Sequence, residues 1–330
     1  MSKLTLGVIG AGRIGKLHID NLLRMPNVNI KAIADPYIDK SWANTRSLNA
    51  ITDVEYVFSD SDIDAVLILS PSTLHAEQII KAARAGKHIF CEKPIALDPA
   101  KIEEAIKEAD DNNVKLQIGF NRRFDPDFRR LKEAVESGKI GELYMIKIIS
   151  RDPAPPPVEY IKESGGMFLD MTIHDFDMVR YLSGSEVVQV FASGAVLVDP
   201  KIGEAGDIDT AITTLKLANG ALASIDNSRQ AVYGYDQRVE VFGSKGSMAA
   251  YNNTETGTVF TSTDGVVSDC PLDFFLERYT KSFMQEMVGF IQAVTEDKVP
   301  PVTGQDGLAA TLIGLAAKKS FSLNEPVDVE

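Results

Sequence analysis

The turn Gly10-Ala11-Gly12-Arg13-Ile14-Gly15 stands between a short apolar run, Leu4 to Ile9, and a stretch of helical spacing from Gly12 to Met25. Three glycines so placed suit a strand-turn-helix unit. The first allows a sharp turn, the second lets a ligand approach the backbone, and the third lets helix and strand pack closely. A second run, Val28 to Ala34, ends in Asp35, 20 residues after Gly15. A carboxylate there accepts hydrogen bonds from ribose hydroxyls, and the positive helix N-terminus faces a pyrophosphate. The pattern predicts a dinucleotide-binding unit. Asp35 selects NAD over NADP, because a carboxylate repels a 2′-phosphate and Pro36, not an arginine, follows it.

The same alternation continues. Ala65 to Leu69 is almost wholly apolar, and His75 to Ala85 is helical and closed by Gly86. His88 to Cys91 and Lys115 to Gly119 read as strands, with a helix from Pro99 to Asp110 between them. Apolar strands alternating with helices predict α/β: a doubly wound parallel Rossmann sheet over 1–121. Beyond it, Pro126 to Ser137 reads as a helix. Five longer strand-like segments follow: Leu143 to Ser150, Val187 to Val198, Ala211 to Leu217, Ala221 to Asp226 and Arg238 to Phe242. A helix over Asp170 to Leu182 interrupts them, and helices over Phe274 to Thr295 and Gly307 to Ser320 close the chain. The expectation for 122–330 is a substrate-binding and oligomerisation α+β domain with a large, mostly antiparallel sheet. Its C-terminal helices could pack back on the first domain. Pro153-Ala154-Pro155-Pro156-Pro157 reads as a rigid surface connection. Strands such as Ala211 to Leu217 carry apolar residues on both faces, which suggests helices on one side and a partner copy on the other.

The 330 residues carry a formal charge of −13, which argues against a nucleic-acid partner. No run reaches the ~18 apolar residues of a membrane span, and the segment from Met1 to Gly10 has no secretory pattern. The expectation is a cytoplasmic protein. Cys91 and Cys270 make no disulfide framework, and no metal-ligand spacing appears. Cys91 reads as a buried strand residue.

Three segments carry candidate chemistry. Glu92-Lys93-Pro94 follows a strand end, where ligands lie in open α/β sheets. Lys93 is either a surface lysine or a group that meets the substrate. Asp170, His174 and Asp177 are spaced to share one helical face. A carboxylate can orient an imidazole, and alcohol oxidation needs a base for the hydroxyl proton. Equally, Asp170 could cap the helix and His174 could be a core histidine. Arg122 and Arg123 follow another strand end, ready either for substrate hydroxyls or for nearby acids.

Taken together, Gly10 to Gly15 with His18, Ser70-Pro71-Ser72-Thr73-Leu74-His75, Glu92-Lys93-Pro94, Gly119 to Asp125 and Asp170 to Asp177 resemble the glucose-fructose oxidoreductase / inositol dehydrogenase family over essentially the whole length. Asp170 to Asp177 and Tyr233-Gly234-Tyr235-Asp236 are most similar to its inositol 2-dehydrogenase branch. The resemblance implies a catalytic group of Lys93, Asp170 and His174, with His174 as general base and the other two tuning it. It implies cofactor contacts from Gly10, Gly12, Arg13, Ile14, Gly15, Asp35, Ser70, Pro71, His75, Glu92 and Lys93. Substrate contacts would come from Lys93, Asn121, Arg122, Asp170, His174, Asp177 and Tyr235. The implied cofactor is NAD, the assembly a homotetramer, and no metal is implied. The implied reaction is oxidation of a polyol, myo-inositol at C2, to the inosose. Alternatives are scyllo-inositol or an aldose as substrate, reduction of a sugar-derived ketone, or a catalytically silent NAD-binding sensor.

Overall fold

Short apolar strands separated by helices build the first unit, because strands buried on both faces need helices on each side. The computed structural model describes residues 3–330. Met1 and Ser2, which begin the N-terminal segment read above, lie outside the described residues. Strands β1 (Leu4–Ile9), β2 (Val28–Ala34), β3 (Ala50–Ile51), β4 (Ala65–Ile68), β5 (His88–Glu92) and β6 (Leu116–Gly119) form one parallel sheet in the order β3-β2-β1-β4-β5-β6. The order reverses between β1 and β4, the place where open α/β sheets bind ligands. Every residue of β4 is buried.

This unit runs up to Asn121 and also takes in Phe283–Ala309. From the helix Thr280–Thr295, Met287, Phe290 and Ile291 enter the core that contains Leu6, Leu67 and Phe90. The rings of Phe90 and Phe290 meet edge to face at 5.9 Å. Each such side chain contributes about 1.5–3 kcal/mol by burial.

The second unit comprises Arg122–Ser282 and Ala310–Glu330. Its strands are β7 (Leu143–Arg151), β8 (Val187–Ala195), β9 (Thr210–Leu217), β10 (Leu222–Ser228), β11 (Asp236–Gly243), β12 (Gly246–Ala250) and β15 (Val327–Asp328). They form a seven-stranded sheet in the order β12-β11-β7-β10-β9-β8-β15. The sheet is mixed: β7 and β10 run parallel, and the other neighbours are antiparallel. The parallel pair arises because the chain leaves β7 through helices and returns through β8 and β9 before β10. Strands β13 (Val259–Ser262) and β14 (Gly265–Ser268) form a separate exposed hairpin.

Three local expectations need correction. The helix expected from Asp170 begins later: Met167–Met171 is a π-helical turn, and the α-helix spans Ile173–Ser183. The single helix expected from Phe274 is divided into Phe275–Arg278 and Thr280–Thr295. Strand β9 alternates cleanly, with Ala211, Thr213, Leu215 and Leu217 buried and Ile212, Thr214 and Lys216 exposed. A short helix, Val158–Ser164, that the sequence reading lacks follows the proline run directly, with Pro157 as its first flanking residue. Among the described residues, no helix is long and apolar enough to cross a membrane. Cys91 is buried, Cys270 is exposed, and both are free thiols.

Candidate active site

In the first unit the glycine turn is built as its sequence requires. Gly10 has φ +98°, and a Cβ there would lie 2.4 Å from the Leu69 carbonyl oxygen. A Cβ on Gly15 would lie 2.3 Å from the Gly10 carbonyl oxygen. Any side chain at either position would break the turn or push the helix off the strand. Gly12 is different, since a Cβ there would meet nothing within 4 Å. It faces open space and admits a ligand rather than packing against protein. The helix Arg13–Leu22 starts at Gly12 with no side-chain cap and no acid in its first turn. Its first amides, on Arg13 and Ile14 among others, therefore offer a positive end to an anion.

Asp35 follows β2. Its Oδ2 accepts the Ala11 amide at 2.7 Å, and its Oδ1 accepts the Tyr37 amide at 2.7 Å. A carboxylate has about four acceptor sites, so two remain for ribose hydroxyls. The residues present fit a dinucleotide with an unphosphorylated ribose.

Beyond β4, the Ser70 hydroxyl donates to Gln78 Oε1 at 2.6 Å, and Pro71 precedes the turn Ser72–Leu74. The His75 ring lies between two carbonyl oxygens, Pro94 and Ser70, each at 2.8 Å. It ties the loop after β4 to the loop after β5. Burial lowers the pKa of this histidine, against the pull of the two carbonyls. Glu92 ends β5, and its Oε1 meets His18 Nε2 at 3.1 Å. Lys93 follows, half-buried. Asn121 is buried at the start of the turn Asn121–Phe124.

In the second unit the parallel pairing of β7 and β10 sets Ser150 beside Asn227 and Arg151 beside Ser228. The next residues, Asp152 and Arg229, emerge together at these strand ends. Arg229 is buried, and it reaches Asp170 Oδ2 at 3.4 Å and Asp207 Oδ2 at 3.5 Å. Tyr160 donates its hydroxyl to Asp170 Oδ1 at 2.8 Å. Desolvation pushes Asp152 up to about 6, with the Asp170 charge adding to the shift and Arg229 opposing it.

His174 is half-buried in the first turn of the helix Ile173–Ser183. One residue on, Asp175 is fully buried and accepts from Arg122 Nη1 at 2.5 Å and from Asn227 Nδ2 at 2.8 Å. Arg122 also reaches Ser150 Oγ at 3.3 Å and the Tyr235 hydroxyl at 3.4 Å. Arg123 grips Asp177 with Nε and Nη2 at 2.6–3.1 Å. Both arginines thus hold acids, and Asp177 is a buried ion-pair partner (side chain 1% exposed). Burial raises the Asp175 pKa, while Arg122 and Asn227 pull it down.

The structure brings Asp170 together with Tyr160, Asp152 and Arg229, and brings Arg122 together with Tyr235 and Asp175. Of these, Asp152, Tyr160, Asp175 and Arg229 have no role in the sequence analysis, nor has Asn227, which donates to Asp175. Asp175 lay inside a segment already singled out. Asn227 and Arg229 became visible only once β10 was seen to end beside β7.

Comparisons with known proteins agree along the chain. Residues 4–120 match the model of an oxidoreductase family with an NAD-binding Rossmann fold, and residues 128–249 match the GFO/IDH/MocA C-terminal domain. An uncharacterized oxidoreductase, YrbE, of Bacillus subtilis is 51% identical, covering 99% of this chain and 97% of its own. The myo-inositol 2-dehydrogenase of Thermotoga maritima is 49% identical, covering 99% of each. The crystal structure of scyllo-inositol dehydrogenase from Lactobacillus casei with bound NAD(H) and scyllo-inositol superposes with a TM-score of 0.92 at 32% identity, covering 99% of each chain.

Proposed function

The chain belongs to the GFO/IDH/MocA family of NAD-binding oxidoreductases, and from that premise we propose that it is an NAD-dependent inositol 2-dehydrogenase that oxidises myo-inositol to 2-keto-myo-inositol. The observation that carries this reading is the 49% identity to a myo-inositol 2-dehydrogenase across 99% of both chains.

When bound, NAD supplies the hydride acceptor. Gly12 and the first amides of Arg13–Leu22 would hold its pyrophosphate, and Asp35 its adenine-side ribose. Ser70, Pro71 and His75 would line the site beyond β4. The remaining work falls to side chains. His174 takes the proton of the C2 hydroxyl as the C2 hydrogen departs with its electron pair, leaving a carbonyl. Asp170 and Lys93 tune that base. Asp170 suits the task because Tyr160 and Arg229 fix both its oxygens. Arg122 and Tyr235 would meet substrate hydroxyls, as would Asn121. Asp177 holds Arg123, and its contribution is to brace the turn that carries Arg122.

The test is NADH formation with myo-inositol, scyllo-inositol, D-chiro-inositol and glucose, each with NAD and NADP. Fastest turnover of myo-inositol with NAD is expected. Faster scyllo-inositol turnover would move the substrate to that isomer, and no turnover of any polyol with NAD bound would favour a silent sensor.

The proposed partner is a second copy of the same chain, within a homotetramer. The open face of the second unit's sheet carries Ile212 (60% exposed), Leu222 (49%), Tyr144, Met145 and Phe242. Exposed apolar side chains on one sheet face, interspersed with Thr214, Lys216 and Lys147, support this reading. Light scattering is expected to give a tetramer mass, and a monomer mass would remove the proposal. Two free thiols suit a reducing cytoplasm, where fractionation should find the activity.

A further inference from the structure

Glu286 lies in the helix Thr280–Thr295, fully buried, and neither carboxylate oxygen has a hydrogen-bond partner. Two groups face it from other elements: His18 on the helix Arg13–Leu22 and Glu92 at the end of β5. One nitrogen and one oxygen from each carboxylate lie within 4.8 Å of one another. Nothing in the residue spacing of 18, 92 and 286 shows this; the fold assembles it. Around the cluster the packing is apolar or neutral. The His18 ring is wedged edge-on between Phe90 at 5.3 Å and Phe283 at 5.6 Å. Gln117 on β6 gives its amide to the Glu286 backbone carbonyl at 3.1 Å.

The protons can be placed. Glu92 Oε1 faces His18 Nε2 at 3.1 Å, and Glu92 Oε2 accepts the Lys93 amide at 3.3 Å. Both Glu92 oxygens thus have partners, the His18 ring and the Lys93 amide. Glu286 has none, and a bare buried carboxylate beside another is too costly to persist. Burial first, then the Glu92 charge, raises the Glu286 pKa well above the usual carboxylate value.

We propose that Glu286 is a neutral carboxylic acid at neutral pH, and that it packs uncharged beside the His18–Glu92 pair, so that Glu92, and through it Lys93, keeps its place. Glu286 is thus a positioning residue. Its link to Lys93 rests on the function proposed above, whereas its protonation does not.

The test has two parts. Infrared difference spectra of the whole protein, wild type minus Glu286→Gln, should show the carbonyl band of a protonated acid at neutral pH. Glu286→Met, which fills the volume without polar atoms, should remove the same band and serves if the glutamine variant does not fold. Stability gives a second reading. The folded pKa is raised, so the Glu286 contribution is complete below the unfolded pKa of about 4.3 and is lost as pH rises. The melting-temperature gain of Glu286→Gln over wild type should therefore widen from pH 5 to pH 8 (a working window of about that span). No lost band and no widening gap would overturn the proposal. So would a melting temperature that manganese or zinc raises in wild type but not in Glu286→Gln, since a cation would then hold an ionised Glu286. For the link to Lys93, Glu286→Gln should keep kcat, and Glu286→Met should lower kcat with NAD affinity unchanged. Full kcat in both would overturn the link alone. The infrared and melting readings need no turnover, so a failure of the functional reading would be separately visible.

Discussion

The Tyr160 hydroxyl donates to one oxygen of Asp170 at 2.8 Å, and the buried Arg229 guanidinium approaches the other at 3.4 Å. A neutral donor and a cation thus fix one carboxylate from two sides. Burial, together with the Asp170 charge, raises the Tyr160 pKa, so the phenol stays a donor through the working range. Tyr160→Phe removes one hydrogen bond to a charged group, worth about 1.5–3 kcal/mol, while the Arg229 contact remains. If Asp170 orients the base, kcat should fall about 10-fold or more with NAD affinity unchanged. Equal kcat in the variant would mean that Tyr160 supports only the fold.

Asp35 has two tasks. Its oxygens hold the Ala11 and Tyr37 amides, and in the proposed function its charge would disfavour a 2′-phosphate. Asp35→Ala should weaken NAD by about 10–100-fold, the range of hydrogen bonds to a charged group, and narrow the NAD/NADP ratio of kcat/KM. Asp35→Asn keeps one acceptor oxygen, so it should retain more NAD affinity yet lose the same discrimination. Unchanged selectivity in both would remove Asp35 from cofactor choice.

The two units were not equally legible in the sequence. The Rossmann unit announces itself because its chemistry is local: Gly10, Gly12 and Gly15 act within one turn, and Asp35 lies at the end of the next strand. Lys93 could be placed at a strand end for the same reason. The second unit depends on pairings distant in sequence. That Arg229 would emerge beside Asp152 follows from the parallel register of β7 and β10, which no alternation pattern reports, and its reach to Asp170 depends on how the turn Met167–Met171 packs. Neither arginine announces its acid: the fold pairs Arg122 with Asp175 and Arg123 with Asp177. The break after Arg278 has no glycine or proline to signal it, and the π-helical turn around Asp170 mimics helical spacing.

Asp152 gives a pH dependence with a definite sign. Desolvation lifts it to about 6, Asp170 adds, and Arg229 opposes. The unfolded pKa is about 3.9. The folded value is higher, so the stabilising contribution of the protonated form is complete below pH of about 4 and is lost as pH rises to about 6. Asp152→Asn cannot release a proton. Its melting temperature should match wild type most closely near pH 4, rise relative to it up to about pH 6, and stay parallel above. A constant difference across this window would show that folding does not raise the Asp152 pKa.

His174 is where a structural and a catalytic role give opposite signatures. It is half-buried near the start of its helix, so a merely structural imidazole, replaced by alanine, would cost stability and leave turnover near wild type. A general base contributes about 10²–10⁴ in rate, and His174→Ala should lower kcat by that factor with NAD binding retained. The pairing of Asp175 with Arg122 separates the two cases further. Asp175 neighbours His174 in sequence but is fully buried in its ion pair. Breaking that pair with Asp175→Ala should cost about 3–5 kcal/mol of stability. A large kcat loss in His174→Ala with a small change in melting temperature, beside a large melting-temperature loss in Asp175→Ala, assigns proton transfer to His174 and scaffolding to its neighbour. The reverse pattern would remove His174 from the reaction.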